Sequence, residues 1–134
     1  MGSRSGIGLL EDGKIKAVYC HWDGYISHNG RILEESYRDV EKVKQLLALG
    51  DLSALRAEIG AKFDVATDCC IFYGRDREET GTEAQIYNNA AEMCEAIDGE
   101  YFYIMKNGVW FVSDSDSCNW TLLSVALAEL GDDE

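Results

Sequence analysis

The 134-residue chain contains no proline, and residues 68–134 hold only three basic side chains. Without proline no proline-rich spacer divides the chain, and no linker, repeat or low-complexity tract interrupts it, so a single domain is expected over 1–134. Long apolar runs are also missing. Stretches such as Leu46–Leu49 and Ile71–Tyr73 fall far short of the roughly 20 residues that cross a bilayer. The first residues carry no apolar signal region, so a cytoplasmic protein without membrane contact is expected. Cysteine is present but unpatterned. Cys20, Cys69, Cys70, Cys94 and Cys118 form an odd set without regular spacing, which argues against a secreted disulfide framework and for reduced thiols packed as small hydrophobes.

The composition is 46% hydrophobic, enough for one ordinary core, and the net charge is −13. Ten acidic and nine basic side chains fall in residues 1–67, against fifteen and three in residues 68–134. Nearly all of the net charge therefore belongs to an acidic half. Clustered carboxylates repel phosphates, so nucleic acid is not expected as a direct ligand there and a cationic partner is favoured. The plain alternative is that the acids keep a small protein soluble.

Patterning predicts an α+β fold, an antiparallel or mixed sheet of two hairpins plus one strand covered by four to five helices. Asp12-Gly13 joins strands over Arg4–Glu11 and Lys14–Trp22, and Asn107-Gly108 joins Tyr101–Met105 to Val109–Val112, both with the dipeptide of a tight primed turn. Neither face of Lys14–Trp22 is wholly polar, which predicts a central strand packed on both sides. Ile32, Leu33 and Tyr37 predict a short helix. A second, through Val40, Val43, Leu46 and Leu47, is capped by Asp39 and stopped at Gly50. A third short helix is expected from Ser53 to Ile59. Cys69–Tyr73 reads as a strand and Gly74–Gly81 as a loop. Thr82 with Gln85 has the form of a capping box opening a helix through Ala84, Tyr87, Ala91, Cys94 and Ile97. Trp120–Leu130 closes the chain as an amphipathic helix before an acidic tail.

Two segments concentrate chemistry. Tyr19-Cys20-His21-Trp22-Asp23-Gly24-Tyr25-Ile26-Ser27-His28-Asn29-Gly30 gathers both histidines at a strand exit, where loops commonly carry function. Cys20, His21, His28 and the Cys69-Cys70 pair lack the spacing of a metal site, so no metal and no cofactor are expected. The plain alternative is that Trp22 and Tyr25 fold over the sheet edge around a satisfied His21. In Tyr73-Gly74-Arg75-Asp76-Arg77-Glu78, two arginines beside a glycine have the chemistry to fork onto a phosphate or carboxylate. With His21, Trp22, Asp23, Tyr25 and Tyr73 they define a possible ligand site. The competing interpretation is an internal ion-pair loop. Gly6 and Gly8 lie inside a strand, which excludes a dinucleotide fingerprint.

The opening Met1-Gly2-Ser3-Arg4-Ser5-x-Ile7, the Tyr-Cys-His-Trp-Asp-Gly-Tyr run, Gly30 with Leu33 and Tyr37, Lys42-Val43 before Leu46, Leu49-Gly50-Asp51-Leu52-Ser53, and Tyr73-Gly74-Arg75-Asp76-Arg77 together resemble a group of small proteins encoded by phages and prophages. The likeness covers about the first three fifths of the chain, fades beyond residue 82 and brings no catalytic residues with it. It implies an accessory role in a host cell, commonly inhibition of host defence. Combined with the acidity, the expectation is a non-enzymatic, anti-CRISPR-like binder that blocks a basic nucleic-acid groove of a host defence protein by acidic mimicry, through Glu92, Glu95, Asp98, Glu100, Asp114 and Asp116. The alternatives are a nucleotide sponge using Trp22, Tyr25, Arg75 and Arg77, and a small hydrolase built on Cys20, His21 or Asp23.

Overall fold

The computed structural model describes residues 4–60, 69–97, 99–114 and 120–130. Its centre is the hairpin of β1 (Ser5–Glu11) and β2 (Lys14–Cys20), paired along their whole length from Ser5 opposite Cys20 to Glu11 opposite Lys14. Asp12 and Gly13 both take positive φ, 55° and 78°, as the primed turn requires. A second hairpin, β6 (Tyr101–Lys106) and β7 (Val109–Asp114), turns through Asn107 and Gly108 in the same way. Short strands β3 (Leu52–Ala54), β4 (Ile71–Phe72), β5 (Gln85–Tyr87) and β8 (Thr121–Leu122) complete an open mixed sheet of order β4-β3-β2-β1-β6-β7-β8, with β5 also on β2. β1 and β6 run parallel, as do β2 and β3, and the other pairs are antiparallel. The fold is α+β, as the patterning predicts.

Period-two alternation sends the sheet's side chains to two unequal cores. On one face Ile7, Leu9, Val18, Cys20, Tyr103, Met105 and Trp110 meet helices α1 (Arg31–Ser36), α2 (Val40–Ala48) and α5 (Leu123–Leu130) through Leu33, Val43, Leu46, Leu47 and Leu123. The other face is smaller. There Ile15, Ala17, Phe102 and Ile104 meet Met93 of α4 (Ala90–Ala96) and Ile97 just beyond it. Seven residues are too few for an independently stable helix. Burial of Met93 and Ile97, each contributing about 2 kcal/mol, therefore holds α4 in place. Gly6 makes room for it, because a Cβ there would sit 3.1 Å from Met93, Ile97 and Phe102 carbons.

Several expectations are corrected. Ser53 opens no helix, because Leu52–Ala54 pairs with both β2 and β4. Gly74–Gly81 is not wholly loop, since Tyr73–Arg77 forms the helical turn α3, ended by Glu78 at φ 56°. Thr82–Gln85 caps no helix: residues 85–87 pair with Ile15–Ala17 of β2, and the helix begins only after Asn89, whose side chain accepts from the Glu92 N–H. An open edge of β2 outcompetes the local helical pattern. Trp120–Leu122 likewise precedes α5, with Thr121–Leu122 added to β7. Asp39 caps α2 and Gly50, at φ 87°, follows it as expected. The two sequence halves interleave within one sheet, through β1 with β6, β2 with β5 and β3 with β4. Among the described residues no helix is long and apolar enough to cross a membrane.

Candidate functional site

Beyond β2 the chain continues along β3, with the His21 and Trp22 N–H groups donating to the carbonyls of Leu52 and Ser53 at 3.0 Å each. Asp23 then takes φ 58° and reverses the chain, which closes through Asn29 N–H to Asp23 O into a π-helical turn over Ile26–Gly30. Asn29 is fully buried, and its Nδ2 donates towards Ser5 Oγ, Cys20 Sγ and Trp22 O at 3.3–3.4 Å. Tyr103 Oη donates to Gly24 O at 2.6 Å. The loop is thus pinned from beneath, while Trp22 and Tyr25 stay 43% and 39% exposed. Tyr19 Oη and His21 Nδ1 share a 2.6 Å hydrogen bond, and the His21 ring meets Trp22 edge-on at 4.7 Å. His28 meets Tyr25 edge-on and hydrogen-bonds the Asn29 side chain. Cys20 has no exposed surface, and burial pushes its thiol up to about 12 against the opposing hydrogen bond from Asn29. A protonated, enclosed thiol is a poor nucleophile.

The arginine segment is differently employed. Arg75 donates Nε and Nη2 to the two oxygens of Asp76, Nη1 to Ile59 O and Gly60 O, and Nη2 also to Cys70 O, at 2.7–3.1 Å. All five N–H groups of the guanidinium are engaged. Asp76 also accepts from the Phe72 N–H, and Arg75 lies over the Phe72 ring. Arg77 is exposed and lies over the Tyr73 ring, 5.3 Å from its centre. β3 stands between β2 and β4, and among the described residues no hydrogen bond or ring contact joins Trp22 or Tyr25 to Arg75 or Arg77. Arg75 is therefore a clip between α3 and the residue 59–60 segment.

Of the acidic side chains singled out in the sequence, Glu92 and Glu95 are exposed on α4, and Glu100 is exposed at the entry to β6, where its N–H donates to Arg4 O. Glu92 accepts from the Asn88 N–H and Nδ2, and these bonds hold its carboxyl below the usual range. Asp114 ends β7 opposite Tyr101. Asp98 and Asp116, like Cys118, lie outside the described residues. Among the described residues no group of three or more His, Cys, Asp or Glu side chains is arranged to hold a metal ion.

One residue that sequence reasoning did not select joins three segments. β5 and β3 share one edge of β2 but leave a gap between them, and Asp51 Oδ1 fills it by accepting the Tyr19 N–H at 2.9 Å. The Asp51 N–H donates to Thr82 O, and its carbonyl accepts from the Tyr73 N–H. A cavity of about 190 Å³ opens beside it, walled by Tyr19, Asp51, Gln85, Tyr87, Ala96 and Ile97. Burial raises the Asp51 pKa, with Glu83 adding repulsion, and the Tyr87 hydroxyl is raised by burial and by Asp51. The Leu49-Gly50-Asp51-Leu52-Ser53 motif was the available signal. Comparison with known proteins adds no relative: no family model matches the chain, and no match was found among curated proteins or solved structures.

Proposed function

We propose that the protein is a non-enzymatic binder that docks the carboxylates of its α4 side onto a positively charged, nucleic-acid-binding groove of a partner protein. The observation that carries this is the outward placement of Glu92, Glu95 and Glu100 on and just after the helix that covers the smaller face of the sheet. Glu92 and Glu95, three residues apart, are neighbours on one helix face, about 4.5 Å apart along its axis. Fixed carboxylates at such spacing compete with phosphates for the same lysines and arginines. The chemistry elsewhere points the same way. Arg75 is fully bonded to the protein, which removes one of the two cations a nucleotide sponge would use, and Cys20 is enclosed and protonated, which disfavours thiol catalysis.

The phage-like signature of the first 82 residues adds the biological setting, a stoichiometric inhibitor of a host defence protein such as a CRISPR effector, acting in the host cytoplasm. The protein immobilised and exposed to host lysate is expected to retain a basic nucleic-acid-binding protein at low salt and to release it as salt rises. Exposed charge pairs weaken as the Debye length shrinks from roughly 10 Å at 0.1 M to 3 Å at 1 M salt. Retention that is indifferent to salt, or retention of nucleotides alone, would overturn the proposal.

A further inference from the structure

We propose that the cavity between α4 and the edge of β2 is an arginine socket, taking one guanidinium side chain of the partner onto Asp51 between Tyr19 and Tyr87. The socket deepens the docking proposal and rests on it for the identity of the partner, but its chemistry stands on its own geometry.

Asp51 is held by its backbone on two sides and by one carboxylate oxygen on a third, so its position is fixed before anything binds. The Tyr19 N–H occupies Oδ1, which leaves Oδ2 and a second lone pair of Oδ1 for a forked donor. The Gln85 amide nitrogen donates to Glu83 O at 3.2 Å, leaving its carbonyl oxygen as a further acceptor. Tyr19 and Tyr87 supply aromatic walls, which suit a flat, weakly hydrated guanidinium better than a compact ammonium. Among the described residues, none lining the cavity is basic, so the negative charge at Asp51, reinforced by Glu83, has no resident counter-ion in the cavity wall. Size narrows the ligand further. At about 190 Å³ the cavity is well below the roughly 300–1,000 Å³ of sites for drug-sized molecules, so it admits one side chain rather than a nucleotide. Ala96 and Ile97, at the end of α4, bring the cavity beside the helix that carries Glu92 and Glu95.

The test is an NMR titration of the isotopically labelled full chain with Nα-acetyl-arginine amide. The Nα-acetyl-citrulline amide, isosteric but uncharged, and the lysine analogue serve as controls. Saturable shifts are expected at the Tyr19, Asp51 and Tyr87 amides with the arginine probe, weaker ones with lysine and none with citrulline. Asp51→Asn keeps the acceptor for the Tyr19 N–H while removing the charge, and should weaken arginine binding by about tenfold or more, since hydrogen bonds to charged groups are the strong ones. Ala96→Met, which enlarges a side chain of the cavity lining and leaves the Asp51 carboxylate in place, should weaken binding independently of any effect of the asparagine on folding. Equal binding of citrulline, or undiminished binding by both variants, would overturn the socket. A silent titration would do so too, while leaving the α4 docking surface to its own salt test. Saturable arginine binding combined with salt-indifferent partner capture would instead support the socket and overturn the docking surface.

Discussion

Arg75 shows how far a side chain's role depends on partners remote in sequence. Its acceptors are Asp76 next door and the carbonyls of Ile59, Gly60 and Cys70, and with Asp76 it forms an ion pair whose side chains are only 13% and 3% exposed. Removing one partner of such a pair strands the other, so Arg75→Ala should lower unfolding stability by about 3 kcal/mol. Exposed Arg77, substituted likewise, should change it by less than about 0.5 kcal/mol. Denaturant titration separates the two, and equal small effects would return Arg75 to the surface. Cys20 and Cys70, without exposed surface, should resist thiol reagents at mildly alkaline pH in the native protein and react once it is unfolded. Asp51 gives a pH signature. Its carboxyl is raised by burial, so its contribution to stability is present at acid pH and lost as the pH rises through the raised value. Asp51→Asn should therefore gain stability relative to the parent chain as the pH rises from the ordinary carboxylate range through the raised value. The sequence displayed the Cys-His-Trp-Asp-Gly-Tyr and Gly-Arg-Asp-Arg motifs but not where their side chains point. The carbonyls that bind Arg75 and the gap that Asp51 fills exist only once distant strands pair.

Among the elements, the hairpins were legible because Asp-Gly and Asn-Gly encode their turns locally, and α2 because Asp39 and Gly50 mark both its ends. β3, β5 and β8 were not. Strands of two or three residues carry too little alternation to register, and β5 lies inside a stripe with helical period. What selects strand there is the free edge of β2 at Ile15–Ala17, a tertiary feature. The β3–β5 junction also requires Gly50. At φ 87°, with the Thr82 carbonyl oxygen packed against the position of a Cβ, any side chain is both strained and obstructed. Gly50→Ala should cost more than about 2 kcal/mol, read as a lowered denaturant midpoint. Gly81→Ala, at φ 74° with open space around it, should cost less, so equal losses would show that conformational strain alone acts at Gly50.

For the molecule as a whole, the sharp charge division of the sequence does not become a division in space. Acidic-half strands β4 and β5 join the near-neutral half, Asp76 is buried against Arg75, Glu78 and Glu79 follow α3, and Glu129 lies on α5. The exposed carboxylates of Glu92 and Glu95 on α4, and of Glu100 at the entry to β6, are the ones the docking proposal uses. The central claim is that these carboxylates take the place of phosphates in a basic groove. It is tested most directly by competition: the captured partner, loaded with labelled nucleic acid, is titrated with the wild-type chain and with the Glu92→Lys/Glu95→Lys/Glu100→Lys variant. The wild type should displace the nucleic acid, less effectively as salt rises, and the variant should fail while remaining folded. Displacement by the folded variant at wild-type concentrations, or a ternary complex that retains the nucleic acid, would contradict the account.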